Sequence, residues 1–360
     1  MGGAAPAAGA TAGREIEESF RRPPDAAKVW VYWWWLNGCV TRDGIVRDLD
    51  HMKNQGISGA LIFHAGEGET PWRTEFMSPD WRELFKFTVT EAARRGIVIT
   101  LNLCAGWNLG GPWVKAEDAV QTLGFKSMKV RGGATKSLNI PAPMPAKVDD
   151  IGGKLRREAG ATTPLPALDF QGYYRDVAVL AWQFGSAGKE QRAVCRLDTF
   201  VDLTDRRRGD QLAWEVPTGD WIVVRFGHYV GSRAFTKCTG GGVAFEIDPL
   251  RPDVMDRHFA ATAGVLVQDV KEHVGKTFQH VHVDSGETGK PDWTPAFVAE
   301  FRKRRGYDPL PYLAARAGLI VDHPEVTERF NQDFERAQIS DDSYEGSVAD
   351  GAWRLFWKIE

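Results

Sequence analysis

Between Lys28 and Leu103 the chain repeats one unit: a short apolar, β-rich run, a turn, an amphipathic helical stretch and a stopping glycine. Val29–Leu36 is the first run, closed by Asn37-Gly38. Thr41 then reads as a helix N-cap, and Arg42–Gln55 carries Ile45, Val46, Leu49 and Met52 at helical spacing before Gly56. Ile57–Phe63 is the second run, closed by His64-Ala65-Gly66. Ser78 caps a second helix with Pro79 at its first position, which runs to Arg95 and stops at Gly96. Ile97–Leu103 is the third run and leads into Cys104-Ala105-Gly106-Trp107. Continuously apolar strands joined by helices can bury both faces only as a parallel sheet covered by those helices.

The rhythm breaks near Gln121. Residues 122–247 hold short strand-like runs such as Val177–Phe184, Val194–Leu203 and Trp221–Tyr229, with turns and charged stretches between them and no long helical pattern. After Pro249 the alternation returns: a helix over about 251–274, a strand Thr277–Val283 ending in Asp284-Ser285-Gly286-Glu287, helices Thr294–Arg305 and Pro324–Ala337, and a strand-like run Leu355–Ile359. The expected fold is α/β, a (β/α)8 TIM-type barrel with about five of its eight strands present and an all-β, sandwich-like insertion after the third. The expected division is a disordered tail at 1–18, a first barrel part at 19–121, the β-rich insertion at 122–247 and a second, truncated barrel part at 248–360. An open sheet with two edges predicts poor solubility.

Composition narrows the partners. A net charge of −3 argues against nucleic acid or an anionic membrane surface, and no apolar run is long enough to span a bilayer. Cys39, Cys104, Cys195 and Cys238 form no CxxC pair, which favours free or buried thiols and leaves the compartment open. Residues 1–13 lack the basic and leucine-rich regions of a signal peptide. Fourteen tryptophans stand out, several beside Gly, Asn or Pro. Most serve packing, but rings at loop positions also suit the C–H face of a sugar.

Active sites of parallel βα folds lie at the C-terminal strand ends. That rule selects Trp35 and Asn37 at the first strand and His64 at the second. It selects Asn102, Trp107 and Trp113 at the third, His282, Asp284 and Glu287 at the fourth, and Glu360 at the fifth. Glu287 ranks first: its small neighbours Ser285, Gly286, Thr288 and Gly289 leave a carboxylate accessible, against the plainer reading of a surface glutamate. Glycoside hydrolysis needs two such groups, one on each side of the scissile bond. Asp284 reads either as a loop brace or as a carboxylate that holds a sugar hydroxyl or raises its neighbour's pKa. His280, His282 and Asp284 share one strand face, which also suits a metal-dependent hydrolase, or a structural pair. His64, Trp107 and Trp113 read equally as packing residues.

Several long stretches, in order, carry a family resemblance. They are F-R-R-P-P-D-A-A-K-V-W-V-Y-W-W-W-L-N-G, R-D-L-D-H-M-K-N-Q-G-I-S-G-A, D-W-R-E-L-F-K-F-T-V-T-E-A-A-R-R-G-I, C-A-G-W-N-L-G-G-P-W-V, W-E-V-P-T-G-D-W-I-V-V-R-F-G, H-V-H-V-D-S-G-E and D-W-T-P-A-F-V-A-E-F-R-K-R-R-G-Y-D-P-L-P-Y-L. Over about residues 19 to 337 the chain resembles glycoside hydrolase family 106, the bacterial α-L-rhamnosidases. The resemblance implies an inverting glycosidase acting on a rhamnose-containing carbohydrate, with calcium as a possible cofactor and a periplasmic or extracellular location. It implies Glu287 as one catalytic carboxylate, and a sugar pocket lined by Asp284, Trp35, Asn37, Asn102 and Trp107. Gly286 stands where the family has a larger residue, and the second catalytic glutamate is expected beyond Glu360. The alternatives are a carbohydrate-binding remnant without catalysis and a metal-dependent barrel hydrolase using His280 and His282.

Overall fold

A computed structural model describes residues 16–24, 27–66, 73–111, 113–144, 173–187, 192–230, 235–237, 243–284 and 293–338. Glu287, Glu360, the run Leu355–Ile359 and most of the tail expected at 1–18 lie outside these residues.

The first elements are β1 (Trp30–Trp34), α1 (Arg42–Asn54), β2 (Gly59–Phe63), α2 (Pro79–Arg95), β3 (Val98–Asn102) and the short β4 (Gly110–Gly111). The helix signals act as the sequence implies. Thr41 Oγ1 accepts from Gly44 N at 3.1 Å, and Ser78 Oγ accepts from Trp81 N at 3.3 Å, each satisfying an orphan N–H of a first turn. Gly96 ends α2 in the left-handed region at φ 65°.

From Gln121 the chain makes strands joined by short turns. These are β5 (Gln121–Arg131), β6 (Ala134–Asn139), β7 (Tyr174–Ala187), β8 (Arg192–Cys195), β9 (Val201–Asp202), β10 (Arg207–Arg208), β11 (Gln211–Val216), β12 (Asp220–Val230), β13 (Phe235–Lys237) and β14 (Val243–Glu246). The run Val194–Leu203, expected as one strand, is two. A 3₁₀ turn at Leu197–Thr199 separates β8 from β9, because Leu197 N is taken by the Asp322 carboxylate at 2.8 Å and Thr199 Oγ1 accepts from Gln183 N.

The third part holds α3 (Pro252–Ala261), α4 (Ala263–Asp269), β15 (Phe278–His282), α5 (Phe297–Arg305), β16 (Ile320–Val321) and α6 (Pro324–Gln338). The single helix expected over 251–274 breaks at Thr262, whose φ/ψ of −120°/−94° is non-helical. Thr262 Oγ1 donates back to His258 O at 2.7 Å, a local bond that competes with helix continuation.

Strands β1, β2, β3 and β15 form one parallel sheet in that order. One face is covered by α1, α2 and α4. Trp33, Trp35, Ile62, Ile99, Leu101 and Val281 meet Ile45, Leu49, Trp81, Phe85, Val89 and Leu266 in a single apolar cluster. An Arg82–Asp269 ion pair, with both contacts at 2.7 Å, ties α2 to α4. The opposite face carries rows set by the parallel register. Tyr32, Leu61, Thr100 and His280 form one row. In the next, Trp34 pairs Phe63 and Asn102 pairs His282. Trp30, Tyr32 and Trp34 are 42%, 55% and 43% exposed there. Gly59 is required beside them, because a Cβ would lie 2.3 Å from the Trp30 ring, which crosses it to meet His280 at 5.5 Å. Four strands of this sheet fall among the described residues, and they do not close into a barrel.

A second, six-stranded sheet is centred on β7 and β12. Period-2 alternation sorts its side chains between two cores. Val179, Ala181, Trp221 and Val223 face Leu138, Leu212, Trp214 and Val216 of the β6–β11 sheet. Leu180, Trp182, Ile222, Val224 and Phe226 face Phe297, Phe301, Leu313, Phe330 and Phe334 from the C-terminal helices and the turn between them. β16 joins this sheet by pairing parallel to β8.

Arg225, on the inner strand β12, ties this sheet to the β6–β11 sheet. Its guanidinium donates to Asp176, Asp210 and Ile140 O, each at 2.7 Å, with its side chain 4% exposed. Burial alone would raise the Asp176 carboxyl, but hydrogen bonds from Arg225 and Tyr174 outweigh it and hold it below its ordinary value. Arg225→Met is expected to destabilise by about 2–3 kcal/mol, less than a fully buried pair because Asp210 is half-exposed. The Asp176 share of that stabilisation is complete above the ordinary aspartate value of 3.8 and is lost as pH falls through the lower native one. Urea titration of the variant at pH 7 measures the total, and a midpoint unchanged from wild type would contradict it.

Candidate functional site

The C-terminal strand ends of the parallel sheet gather most of the residues singled out from sequence. The loop after β3 folds back across them. Leu103 N continues the ladder to His282 O at 3.0 Å, and Gly106 N donates to His64 O at 2.8 Å. Gly106 holds φ 118°, which a side chain would resist. The turn brings Trp107 over the open face of the sheet, 5.6 Å from Trp34 and 5.1 Å from Phe63. Phe63 also meets His282 at 6.2 Å. Trp34, Phe63, Trp107 and His282 thus make a continuous aromatic wall. Next to it, His282 Nε2 lies 3.5 Å from Asp284 Oδ1.

Asn102 sits at the end of β3, fully buried. Its Nδ2 donates to Gly106 O at 3.1 Å and lies 3.0 Å from Cys104 Sγ, so the amide orientation is fixed. Its Oδ1 has no hydrogen-bond partner among the described residues. Burial, with the charges of Asp284 and Glu246 adding, pushes the Cys104 thiol well up, so it is a neutral wall and not a nucleophile.

Trp35 and His64 lie just past β1 and β2, on the side toward the helices. Trp35 N donates to Phe63 O at 2.9 Å, and its ring meets Trp33 and Trp81. His64 is fully buried. Its Nδ1 accepts from Trp81 Nε1 at 2.9 Å, and burial lowers its pKa to about 3. Trp35 Nε1 and His64 Nε2 have no partner among the described residues. Asn37 is buried in the left-handed conformation at φ 51°, where asparagine is tolerated better than most residues. Its N donates to Ala65 O and its O accepts from Arg73 N, both at 2.9 Å, so it braces the crossing of the first two loops.

Trp113 parts from this group. Its ring lies against Phe76 and the fully buried His258, and Trp113 Nε1 donates to His258 Nδ1 at 3.3 Å. It lines a cavity of about 570 Å³ with Tyr173, Arg251 and Arg257, between the loop after β4 and α3. Two rings six residues apart therefore serve different places. Three residues that the sequence reading passed over belong to the strand ends. Trp34 and Phe63 were legible from the alternation Trp30–Tyr32–Trp34 across the strand pair, but Trp81 lies in a helix and gave no signal. A buried carboxylate, Glu246 on β14, pairs opposite Gly110 and acts with Asp284 on Cys104. Among the described residues no three His, Cys, Asp or Glu side chains gather to hold a metal. His280 stands one row away from His282, against Trp30.

A family profile described as alpha-L-rhamnosidase, of glycoside hydrolase family 106, matches residues 21–196 and 184–352. A protein of Formosa agariphila that carries a provisional β-glucuronidase name is 32% identical over 330 residues, 89% of this chain and 28% of its own length. A solved rhamnosidase from Novosphingobium sp. PP1Y matches with a TM-score of 0.67 at 22% identity, covering 94% of this chain and 46% of that one. The chain thus spans less than half the length of either.

Proposed function

The chain belongs to glycoside hydrolase family 106, and from that premise we propose that it forms the sugar-binding side of a site that hydrolyses terminal α-L-rhamnosides. The observation that supports this reading most is the pairing of an aromatic wall with unspent polar atoms at consecutive strand ends. Trp34 and Trp107, backed by the buried Phe63, offer apolar faces for the C–H side of a pyranose. Asn102 Oδ1 shares the face of that wall, and Trp35 Nε1 and His64 Nε2 lie at the neighbouring strand ends toward the helices; all three are buried without partners among the described residues, and a sugar hydroxyl that reaches them satisfies such atoms.

In the proposed reaction Glu287 is one of two carboxyl groups. An inverting reaction sets the second about 6.5–9.5 Å away, leaving room for the attacking water. Asp284, three residues before Glu287, holds a sugar hydroxyl or raises the Glu287 pKa by like charge. The parallel sheet is read as the first four strands of a (β/α)8 barrel, with residues 122–247 inserted after the third. Calcium, where it takes part, prefers six to eight oxygen ligands, roughly. Among the described residues no three His, Cys, Asp or Glu side chains gather to begin such a shell.

The relative's name keeps a second substrate in play. The test is hydrolysis of an aryl α-L-rhamnoside beside an aryl β-D-glucuronide by the protein that carries this chain. Preference for the rhamnoside with inverted product upholds the reading. Preference for the glucuronide, retention, or no turnover of either overturns it. No turnover together with saturable binding of L-rhamnose favours a carbohydrate-binding role.

A further inference from the structure

Two tryptophan–histidine pairs in this fold are built alike and end differently. In the first, Trp113 Nε1 donates to His258 Nδ1 at 3.3 Å, and His258 Nε2 meets Leu103 O at 3.1 Å. An indole N–H only donates and a carbonyl only accepts, so His258 is neutral, with its proton on Nε2. Both of its nitrogens are spent inside the protein. In the second, Trp81 Nε1 donates to His64 Nδ1 at 2.9 Å, which by the same logic places the His64 proton on Nε2. Here Nε2 is buried and meets no partner among the described residues. The one difference is the unspent N–H at the C-terminal end of a parallel strand.

The surroundings hold this state. His64 packs on Phe76 and Trp81, and no charged group contributes to its low pKa; burial is its cause. A second proton would go on Nδ1, where it would point at the indole N–H. Trp81 is itself fixed, stacked on Phe85 at 5.5 Å and edge-on to Trp35 at 5.5 Å.

We infer that Trp81 is a positioning residue that locks His64 as the neutral Nε2–H tautomer, so that the second strand end presents a fixed hydrogen-bond donor to a ligand hydroxyl oxygen. The tautomer half stands on the geometry alone. The ligand half rests on the carbohydrate reading above. Such a donor keeps its charge and direction over the working pH range, unlike an exposed histidine.

The experiment is ¹⁵N NMR of imidazole-labelled protein from pH 5 to 8. The expected His64 signal is a single neutral tautomer protonated at Nε2, unchanged with pH, with scalar coupling from Trp81 Nε1 to Nδ1. A proton on Nδ1, or titration near the ordinary value of 6.5, overturns the proposal in the wild-type protein, whatever the variants do. Trp81→Phe is expected to give mixed tautomers, and one unmixed tautomer overturns the positioning role. Adding L-rhamnose is expected to move the His64 Nε2–H signal. His64→Leu should weaken L-rhamnose binding about tenfold and His64→Gln, which keeps an N–H donor, by much less. A locked tautomer that ignores L-rhamnose while the sugar still binds overturns the ligand half. If the sugar does not bind at all, the carbohydrate reading fails as well and the lock alone stands.

Discussion

Replacing Glu287 by Gln is expected to lower hydrolysis of an aryl α-L-rhamnoside by about 10³-fold with little change in L-rhamnose affinity. The amide keeps the size and some hydrogen bonding of the carboxyl but can neither give nor take a proton at the working pH. An effect on kcat with binding intact is therefore the signature of a catalytic carboxyl. Asp284→Asn makes the complementary comparison. If Asp284 only holds a hydroxyl, the loss falls mainly on binding. If it raises the Glu287 pKa, the limb of the pH–rate profile that Glu287 sets moves to lower pH, the acid limb for a base and the alkaline limb for an acid. Activity of Glu287→Gln within tenfold of wild type would remove Glu287 from the chemistry and return the question to other carboxylates, Glu246 among them.

Stability is expected to drop by about 4 kcal/mol between pH 7 and pH 5. Three histidines are buried and neutral in the fold. Burial lowers His64 to about 3, and His258 and His228 to about 4; the Arg175 charge adds to the effect at His228. Below the ordinary value of 6.5 the unfolded chain takes up these protons and the native one does not. Each therefore costs about 1.4 kcal/mol per pH unit until its native pKa is reached. One group acts the other way. Asp248, fully buried, has its pKa raised by burial to about 6, so below that value the native state binds the extra proton and gains stability. It offsets about one histidine between pH 6 and 4, leaving a net uptake of two protons on unfolding. Urea titrations at pH 7, 6 and 5 read this directly. A change of less than about 1 kcal/mol over that range would mean that the histidines are solvated or paired with charge.

The parts of this fold that sequence reveals are those with a local cause. Thr41, Ser78, Pro79 and Gly96 act within one helical turn, and the apolar runs of β1, β2 and β3 report burial on both faces of the sheet. Thr262 shows the limit of periodicity: the apolar spacing continues through it while one hydroxyl bond ends the helix. The pairing of β12 with β5 joins residues about a hundred positions apart and its pairing with β7 residues about 40–55 apart, and no local signal encodes which strand meets which. The strand-end rule selected His64, Asn102, Trp107 and His282, and the fold gathers all four at the ends of the parallel strands. Trp113, selected with them, lies apart, because the direction of a loop ring depends on what lies beneath it, in this case His258 on α3. The rule missed Trp81 because a helical tryptophan four residues from Phe85 reads as packing, and its polar edge is visible only in three dimensions.

The pairing of β16 with β8 sets a clock on synthesis. Cys195 leaves the ribosome about 125 residues before Val321, its partner in the ladder. At roughly 5–20 residues per second that is an interval on the order of ten seconds. During it, the face of β7 and β12 that bears Leu180, Trp182, Val224 and Phe226 waits without Phe301, Phe330 and Phe334 to cover it. An uncovered apolar sheet with an unpaired edge is what holdase chaperones bind, and slowing translation across residues 200–320 should lengthen that exposure. The yield of soluble protein thus depends on the tempo of elongation as well as on the final energy of the fold.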